Sequence, residues 1–204
     1  VQAGSVLPVY ILEPKLWQQP DMSHRHFCFL KDSLVDLSED LCALGQGLVL
    51  RIGEPVSILA DLHQKFGFTQ LCSHQETWNG WTYARDQRVQ AWCQNTGVTW
   101  HQPRRIGVTR GLNKRAGWAQ RWQHYMAQPC LPAPTGLKKI DLASDPMPRP
   151  EDFHLAEDGC IARQSGGRRQ GLQVLESFLH RRGEDYSKAM SSPLSAAQAC
   201  SRLS

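Results

Sequence analysis

Two serines near the end of the sequence have the type and spacing of a phosphate-binding turn. Ser201 and Ser204 are three residues apart in the stretch SSPLSAAQACSRLS, and Leu203 stands between them. Hydroxyl groups at this spacing, with the backbone N–H groups of a turn, can hold a pyrophosphate while the leucine anchors the turn inward. Serines that only cap a helix have the same signature, so the residues alone leave both interpretations open.

A cluster of aromatic residues follows the third predicted strand. It lies in residues 73–89, SHQETWNGWTYARDQRV, and its members are Glu76, Trp78, Trp81 and Tyr83. At the carboxyl end of a strand such side chains can form a shelf for a flat ring. The alternative is a strand-to-helix turn in which Thr77 or Asn79 caps the helix and the aromatic side chains seal the core.

Residues 104–121, RRIGVTRGLNKRAGWAQR, contain six Lys and Arg residues and no acidic residue. This local excess of positive charge can meet phosphates. A solvated helix face, whose basic side chains lay their aliphatic stems on apolar surface, has the same composition. Trp118 and Trp122, with Tyr125 or Met126, share one helical face, and this spacing indicates packing rather than a cofactor site.

Several common sites are missing from the sequence. No glycine-rich dinucleotide or P-loop motif follows a predicted strand, and no GxSxG hydrolase motif is present. His24 and His26 are two residues apart on a predicted helix, so their side chains point to different sides and do not predict a metal pair. The seven cysteines include no CxxC, which indicates reduced thiols in a cytoplasmic protein rather than a zinc ribbon or a redox pair.

The composition is that of a globular protein. The 204 residues suffice for one ordinary domain and part of a second, and a hydrophobic content of 41% supports a packed core. The formal net charge of +4 is modest. No apolar stretch approaches the ~20 residues that span a bilayer, and no basic segment leads into an apolar one at the N-terminus, so we predict no membrane association.

Strands and helices alternate over residues 1–127. The predicted strands are 6–12, 48–52, 68–74 and 98–102, and the predicted helices run from Ser23 to Gly45, from Pro55 to Gly67 and from Thr82 to Gly97. This β-α-β-α-β-α-β order, at about thirty residues per unit, predicts an α/β fold with a doubly wound, mostly parallel, Rossmann-like sheet. Residues 128–166 are rich in proline and predict a linker. A helix beginning near Arg168 then predicts the start of an all-α domain over 167–204.

The order of these features resembles the DNA photolyase/cryptochrome family. The stretches ETWNGWTYARDQRV, LNKRAGWAQRW and SSPLSAAQACSRLS are each similar to family segments and occur in the same order. The resemblance implies an N-terminal α/β domain for an antenna chromophore and a helical domain that binds FAD. It implies FAD contacts at the following residues: Tyr186, Cys200, Ser201, Arg202, Leu203 and Ser204.

The same resemblance implies a function for the parent protein. A photolyase of this family, a deoxyribodipyrimidine photo-lyase, binds damaged DNA and splits pyrimidine dimers with an electron from light-excited reduced FAD. We expect the parent to be a monomer, and the 204 residues alone to be inactive. A cryptochrome-type blue-light photoreceptor without repair activity is the first alternative, and a flavin-free α/β nucleotide-binding module is the second.

The sequence departs from the family pattern at several positions. Cys200 replaces the threonine of the phosphate-binding turn, so one hydroxyl contact is lost. Met190 replaces an arginine that touches DNA in some photolyases. Trp81 and Thr82 stand where folate-antenna members have an Asn-Glu pair, so the identity of the antenna stays open.

The family's first strand has no counterpart in the sequence. That strand is central in the family sheet, and its loss leaves two inner strands with unpaired backbone groups. We therefore expect the 204 residues to be an incomplete piece of a longer protein.

Overall fold

The structure is a computed structural model that describes residues 5–104, 108–112, 114–160, 162–192 and 194. Its strands are β1 (Val9–Leu12), β2 (Val49–Ile52), β3 (Gln70–Cys72) and β4 (Thr99–His101). Its α-helices are α1 (Pro14–Trp17), α2 (His24–Ala43), α3 (Pro55–Phe66), α4 (Gly80–Thr96), α5 (Trp118–Met126), α6 (Arg168–His180) and α7 (Tyr186–Ala189). Short 3-10 helices cover Pro150–Phe153 and Arg182–Asp185. The predicted α/β alternation is confirmed.

The strands form two separate two-stranded sheets, β1 with β2 and β3 with β4. β3 and β4 are parallel, with Leu71 opposite Trp100. The hydrogen bonds that flank the first pair, from the Val49 N–H to the Pro8 oxygen and from the Gly53 N–H to the Leu12 oxygen, advance in the same direction along both strands. The parallel pairing was predicted. The described strands thus form two pairs rather than the single sheet that was predicted.

Local signals set the ends of the helices. The Ser23 hydroxyl accepts a hydrogen bond from the His26 N–H at the start of α2, and the side chain of Asn79 accepts one from the Thr82 N–H at the start of α4. α3 and α4 end at Gly67 and Gly97, whose φ angles of 60° and 74° lie in the left-handed region that glycine tolerates best. Asn79, rather than Thr77, is therefore the cap of α4.

The described chain divides into two compact units. One contains the described residues of 11–16 and 51–134, and the other contains those of 1–10, 17–50 and 135–204. In the first, α3 and α4 pack on the β3–β4 sheet around Leu59, Val89, Cys93 and Val98. The imidazole of His63 lies beside this core, with an edge-on contact to Phe68 and a 2.9 Å hydrogen bond to its backbone oxygen.

The other unit is organised around α2. The ring of Phe27 is fully buried and contacts both Trp17 and Phe153, with centroids 5.0 Å and 5.6 Å away. Much of the segment 135–166 lacks regular structure, but hydrogen bonds hold it. The Leu137 N–H donates to the Leu44 oxygen, and the Asp145 N–H to the Leu50 oxygen.

Two glycines allow the start of α6 to pack closely against α2. A Cβ atom at Gly166 would lie 2.0 Å from the Phe29 oxygen and 2.5 Å from the Ser33 hydroxyl. The Gly167 N–H donates to the same hydroxyl at 3.0 Å. Because any side chain at position 166 would overlap α2, the two backbones can approach this closely only at glycine.

Arginines reinforce this attachment. Arg163 binds Asp32 at 2.7 Å, and Arg169 binds both Asp36 and Glu39. No helix among the described residues combines the length and the apolar character that crossing a membrane requires.

Candidate functional site

A chain of four alternating charges lies at the carboxyl end of β1. Glu13 follows the last residue of that strand and is only 5% exposed. One oxygen of its carboxylate accepts a 2.6 Å hydrogen bond from Arg85, which also binds Asp86 at 2.8 Å. The second oxygen of Asp86 accepts a 2.6 Å hydrogen bond from Arg110. α4 contributes the two central members, so a single helix holds the chain of charges together.

Burial dominates the electrostatics of Glu13. Removal from water raises the pKa of its carboxyl group, and the charge of Arg85 opposes this effect without cancelling it. The negative charge of Glu54 raises the pKa further. Two carboxylates are therefore close enough to interact at the ends of two neighbouring strands.

Three buried polar atoms at strand ends have no hydrogen-bond partner among the described residues. They are Oε2 of Glu13 after β1, Oε1 of Glu54 after β2 and Nε2 of Gln102 after β4. The Glu54 oxygen has only a loose ion pair with Arg88, at 3.8 Å. Buried polar atoms are normally satisfied, so such positions indicate a bound molecule or water. The two carboxylate oxygens can accept hydrogen bonds from N–H groups, and the amide of Gln102 can donate one to an acceptor.

The aromatic cluster of 73–89 does not seal the core. Trp78 and Tyr83 are 50% and 52% exposed. The fully buried residue of this turn is Thr82. Its hydroxyl accepts a 3.3 Å hydrogen bond from the Asn79 N–H, which completes the capping box, and donates to the Asn79 oxygen at 2.9 Å. The capping part of the alternative interpretation is confirmed. Its packing part is wrong for Trp78 and Tyr83, whereas Trp81 is partly buried.

Tyr83 connects the exposed aromatics to the chain of charges. The guanidinium of Arg110 lies over its ring, 5.6 Å from the centroid, while binding Asp86 on the other side. Glu76 does not join this group, since its carboxylate accepts a hydrogen bond from the adjacent Thr77 N–H. Of the residues predicted to form the shelf, Trp78 and Tyr83 have accessible rings, whereas Glu76 does not take part.

Sequence reasoning missed the chain of charges. Glu13 and Arg85 are 72 positions apart, and no local pattern connects them. A usable signal was nevertheless present: Glu13 and Gln102 each follow the last residue of a strand, where α/β sheets bind their ligands.

The stripe of α5 is also more exposed than predicted. Trp118 and Trp122 stack on each other, with centroids 6.4 Å apart, but remain 38% and 41% exposed. No residue of α5 is buried. The interpretation of this stripe as core packing is therefore wrong for the described residues.

Tyr186 begins α7 in the other unit, directly after the corner that follows α6. Its ring meets Phe178 edge-on at 5.7 Å and is 39% exposed. Arg182 fixes the corner by donating to the Ser177 hydroxyl and to the Val174 oxygen, both at 2.8 Å. The corner therefore leaves part of the Tyr186 ring accessible.

The other five predicted FAD contacts lie outside the described residues: Cys200, Ser201, Arg202, Leu203 and Ser204. Met190, one turn after Tyr186, is half exposed, and its N–H donates to the Tyr186 oxygen at 3.1 Å. No group of three or more histidine, cysteine or acidic side chains in the described part of the chain can hold a metal ion.

Curated relatives and solved structures share this organisation. A cryptochrome DASH of Arabidopsis thaliana is 35% identical over 81 residues, which cover 37% of this chain and 14% of that protein. The crystal structure of a bacterial class III photolyase from Agrobacterium tumefaciens is similar over 99% of this chain and 44% of that one, with a TM-score of 0.74 at 20% identity.

An archaeal photolyase from Sulfolobus tokodaii, solved with two FAD molecules, is similar over 88% of this chain and 41% of that one. Its TM-score is 0.60 at 20% identity. The chain thus spans less than half the length of each of these three proteins.

The match to a family model decides the assignment. The model for DNA photolyase matches residues 1–106, which are more than half of the 204 residues. The matched range includes β1 to β4 and three of the four linked charges. The chain belongs to the DNA photolyase family.

Proposed function

We propose that the protein containing this chain is a blue-light-dependent flavoprotein that repairs pyrimidine dimers in DNA, a deoxyribodipyrimidine photo-lyase. FAD, when bound, supplies the electron that splits the dimer and takes it back afterwards. We further propose that residues 1–127 form the antenna domain, 128–166 a linker and 167–204 the start of the FAD-binding domain. The partner is damaged DNA, and the protein acts as a monomer in the cytoplasm.

The position of Tyr186 is the observation that carries this proposal. It stands at the start of a helix, on a corner fixed by Arg182, with part of its ring accessible. The family places an FAD-contacting tyrosine at the same point of its sequence. A tyrosine held this way can orient the cofactor with little loss of side-chain freedom, because Phe178 already restricts its ring.

The phosphates of FAD belong, in this proposal, at the turn Cys200 to Ser204. The hydroxyl groups of Ser201 and Ser204 donate to phosphate oxygens, and the N–H of Cys200 contributes in place of the missing threonine hydroxyl. Leu203 anchors the turn, and Arg202 adds positive charge beside it.

We propose that the strand-end site of the other unit takes the antenna chromophore. Oε2 of Glu13 and Oε1 of Glu54 are ready to accept from ring N–H groups, and Nε2 of Gln102 is ready to donate to a ring carbonyl. Trp78 and Tyr83 offer exposed ring faces in the same unit. These contacts require no phosphate on the ligand, and two carboxylates would oppose one.

An absorption spectrum with a repair assay tests the main proposal. We expect the purified full-length protein to absorb near 450 nm and to split dimers in an irradiated oligonucleotide under blue light. Replacing both serines, Ser201→Ala with Ser204→Ala, removes two hydrogen bonds to charged groups and should weaken FAD binding at least tenfold. The matched control replaces two exposed serines outside the turn, Ser187→Ala with Ser191→Ala, and should leave FAD binding unchanged.

A purified protein without flavin would contradict the proposal and favour a flavin-free nucleotide-binding module. Equal flavin loss in the two double variants would remove the phosphate-binding turn from the proposal while leaving the flavin in place.

A cryptochrome-type photoreceptor is the second candidate, and Met190 favours it. The exposed thioether of Met190 offers no charge to a phosphate at the position where some photolyases have a DNA-binding arginine. Binding of damaged DNA separates the two candidates. If the flavin-loaded protein binds dimer-containing and undamaged DNA equally and repairs neither, the photoreceptor is correct. The variant Met190→Arg should then raise DNA affinity without creating repair.

A further inference from the structure

Positive charge is concentrated in one acid-free stretch of the chain. Residues 87–140 contain nine of the 23 Lys and Arg residues and none of the 19 acidic residues. The stretch therefore carries a formal charge of +9, and the rest of the chain carries −5. A separation of charge on this scale attracts polyanions to one part of a protein.

A hollow with a basic lining lies beside α5, within this stretch. Its volume is about 330 Å³, and its lining contains Arg104, Arg121 and His124 together with Tyr125. The guanidinium of Arg104 lies over the Tyr125 ring, 5.5 Å from the centroid, and the tyrosine hydroxyl donates to the Arg104 backbone oxygen. Neither arginine has a carboxylate partner among the described residues. Arg121 donates only to the neutral backbone oxygen of Ala116, at 3.1 Å, so the charge of both arginines is available to a ligand.

Two exposed indole rings stand next to the hollow. Trp118 and Trp122 are one helical turn apart, with planes inclined by 27°. At 100° per residue, Tyr125 shares the face of Trp118 and Trp122, and Arg121 lies at the edge of that face, so ring surface and cationic surface meet along one helix. A base can stack on the outer face of the indole pair while its phosphate reaches Arg121.

We propose that these residues form a binding surface for single-stranded nucleic acid, here named the α5 surface. It consists of Arg104, Trp118, Arg121, Trp122, His124 and Tyr125. The surface uses none of the residues assigned to the flavin or to the strand-end site, and its action requires no light. It lets the protein bind unpaired strands whether or not they carry a lesion.

The combination of features selects this ligand. Free phosphate would use the arginines but not the indole rings, and duplex DNA hides its base faces from stacking. Unpaired bases present both a π-face and a phosphate at every nucleotide, which matches alternating ring and cation. An anionic membrane surface also attracts Lys, Arg and Trp, but it does not need a polar hollow lined by glutamine and histidine side chains.

Fluorescence anisotropy with labelled oligothymidylate of twelve nucleotides tests the proposal, using the full-length protein in the dark. Binding should weaken as salt rises, with a log–log slope of about −0.7 for each phosphate contacted. The double variant Arg104→Gln with Arg121→Gln should make this slope shallower by roughly 1.4. The double variant Trp118→Ala with Trp122→Ala should weaken binding roughly fivefold or more while keeping the slope. Oligothymidylate should also quench tryptophan fluorescence less in the latter variant.

Two controls make the result specific. Lys31→Gln with Arg168→Gln removes two exposed charges elsewhere in the chain and should change neither affinity nor slope. Arg104→Lys with Arg121→Lys keeps the charge and should restore the slope, which a role in folding would not predict.

The proposal is overturned if the α5 variants bind like the control variant, or if duplex DNA of the same length binds as tightly. It is also overturned if only phosphatidylserine vesicles, and not the oligonucleotide, distinguish wild type from variants. Flavin content and dimer repair should be unchanged in all α5 variants, so failure here leaves the proposed photolyase function standing.

Discussion

Glu13 and Asp36 are both carboxylates bound by an arginine, yet their surroundings shift their pKa values in opposite directions. Glu13 pairs with Arg85, whose side chain is 18% exposed, and burial raises the pKa of Glu13. Asp36 pairs with Arg169, whose side chain is 61% exposed, and the hydrogen bond from that arginine lowers the pKa of Asp36. The arginine therefore outweighs the effect of burial on the pKa at Asp36, but not at Glu13.

The difference distinguishes a ligand-binding site from a contact that only holds two helices together. A buried carboxyl group whose pKa is raised, and which has one oxygen without a hydrogen-bond partner, remains ready to bind a ligand. A carboxylate whose charge is fully matched by an accessible arginine only fastens α6 to α2. Proximity of opposite charges alone does not distinguish these roles, whereas the buried oxygen of Glu13 without a hydrogen-bond partner does.

Removing Arg85 should give the largest effect. The variant Arg85→Met leaves Glu13 and Asp86 buried without their central partner, and loss of one member of a buried pair costs about 3–5 kcal/mol. The urea midpoint of the full-length protein, followed by circular dichroism, measures this loss.

Arg169→Gln is the matched variant in the other unit. It should lower the urea midpoint by clearly less, because buried Asp36 keeps its hydrogen bond from the backbone N–H of residue 169 and water replaces an exposed guanidinium. Equal losses in the two variants would mean that burial does not distinguish the clusters, and the comparison would fail.

The pH dependence of Glu13→Gln should give the next largest effect. Because the folded pKa of Glu13 is raised above its usual 4.5, the folded state holds this proton more tightly, and the resulting stability is present below pH 4.5 and lost as pH rises. Glutamine cannot titrate. The stability of wild type relative to Glu13→Gln should therefore fall between pH 4.5 and pH 7 in urea titrations. A constant difference across this range would show that burial does not control this carboxyl group.

Asp36→Asn should show the opposite and smallest trend. The folded pKa of Asp36 is lowered below its usual 3.8, so its stabilising contribution is present above that pH and is lost as pH falls through the folded value. The advantage of wild type over Asp36→Asn should shrink between pH 5 and pH 2.5, as thermal unfolding can measure. An advantage that grows on acidification would contradict the assigned role of Arg169.

Local chemistry explains why much of the fold was predictable. Ser23 caps α2, and Gly67 and Gly97 end α3 and α4, because each depends only on neighbours within a few residues. The period of apolar residues then determines which segments are helices and which are strands. The order of elements follows from these signals without knowledge of the tertiary structure.

The chain of charges was not predictable in this way. Asp86 binds a residue 24 positions away, and Arg85 binds one 72 positions away, so only the folded arrangement brings them together. The sequence also left open whether Trp78 and Tyr83 form an accessible shelf or seal the core. The two interpretations use the same residues, and the fold alone shows both rings exposed.

The glycine at position 166 has a mechanical consequence. α6 is 13 residues long, so it is a rod of about 20 Å with its base pressed against α2 and Tyr186 near its far end. A rod of that length tilted by roughly 10° moves its tip by about 3.5 Å, about a hydrogen-bond length. A single methyl group at position 166 would thus tilt α6 and displace the ring of Tyr186 without contacting it.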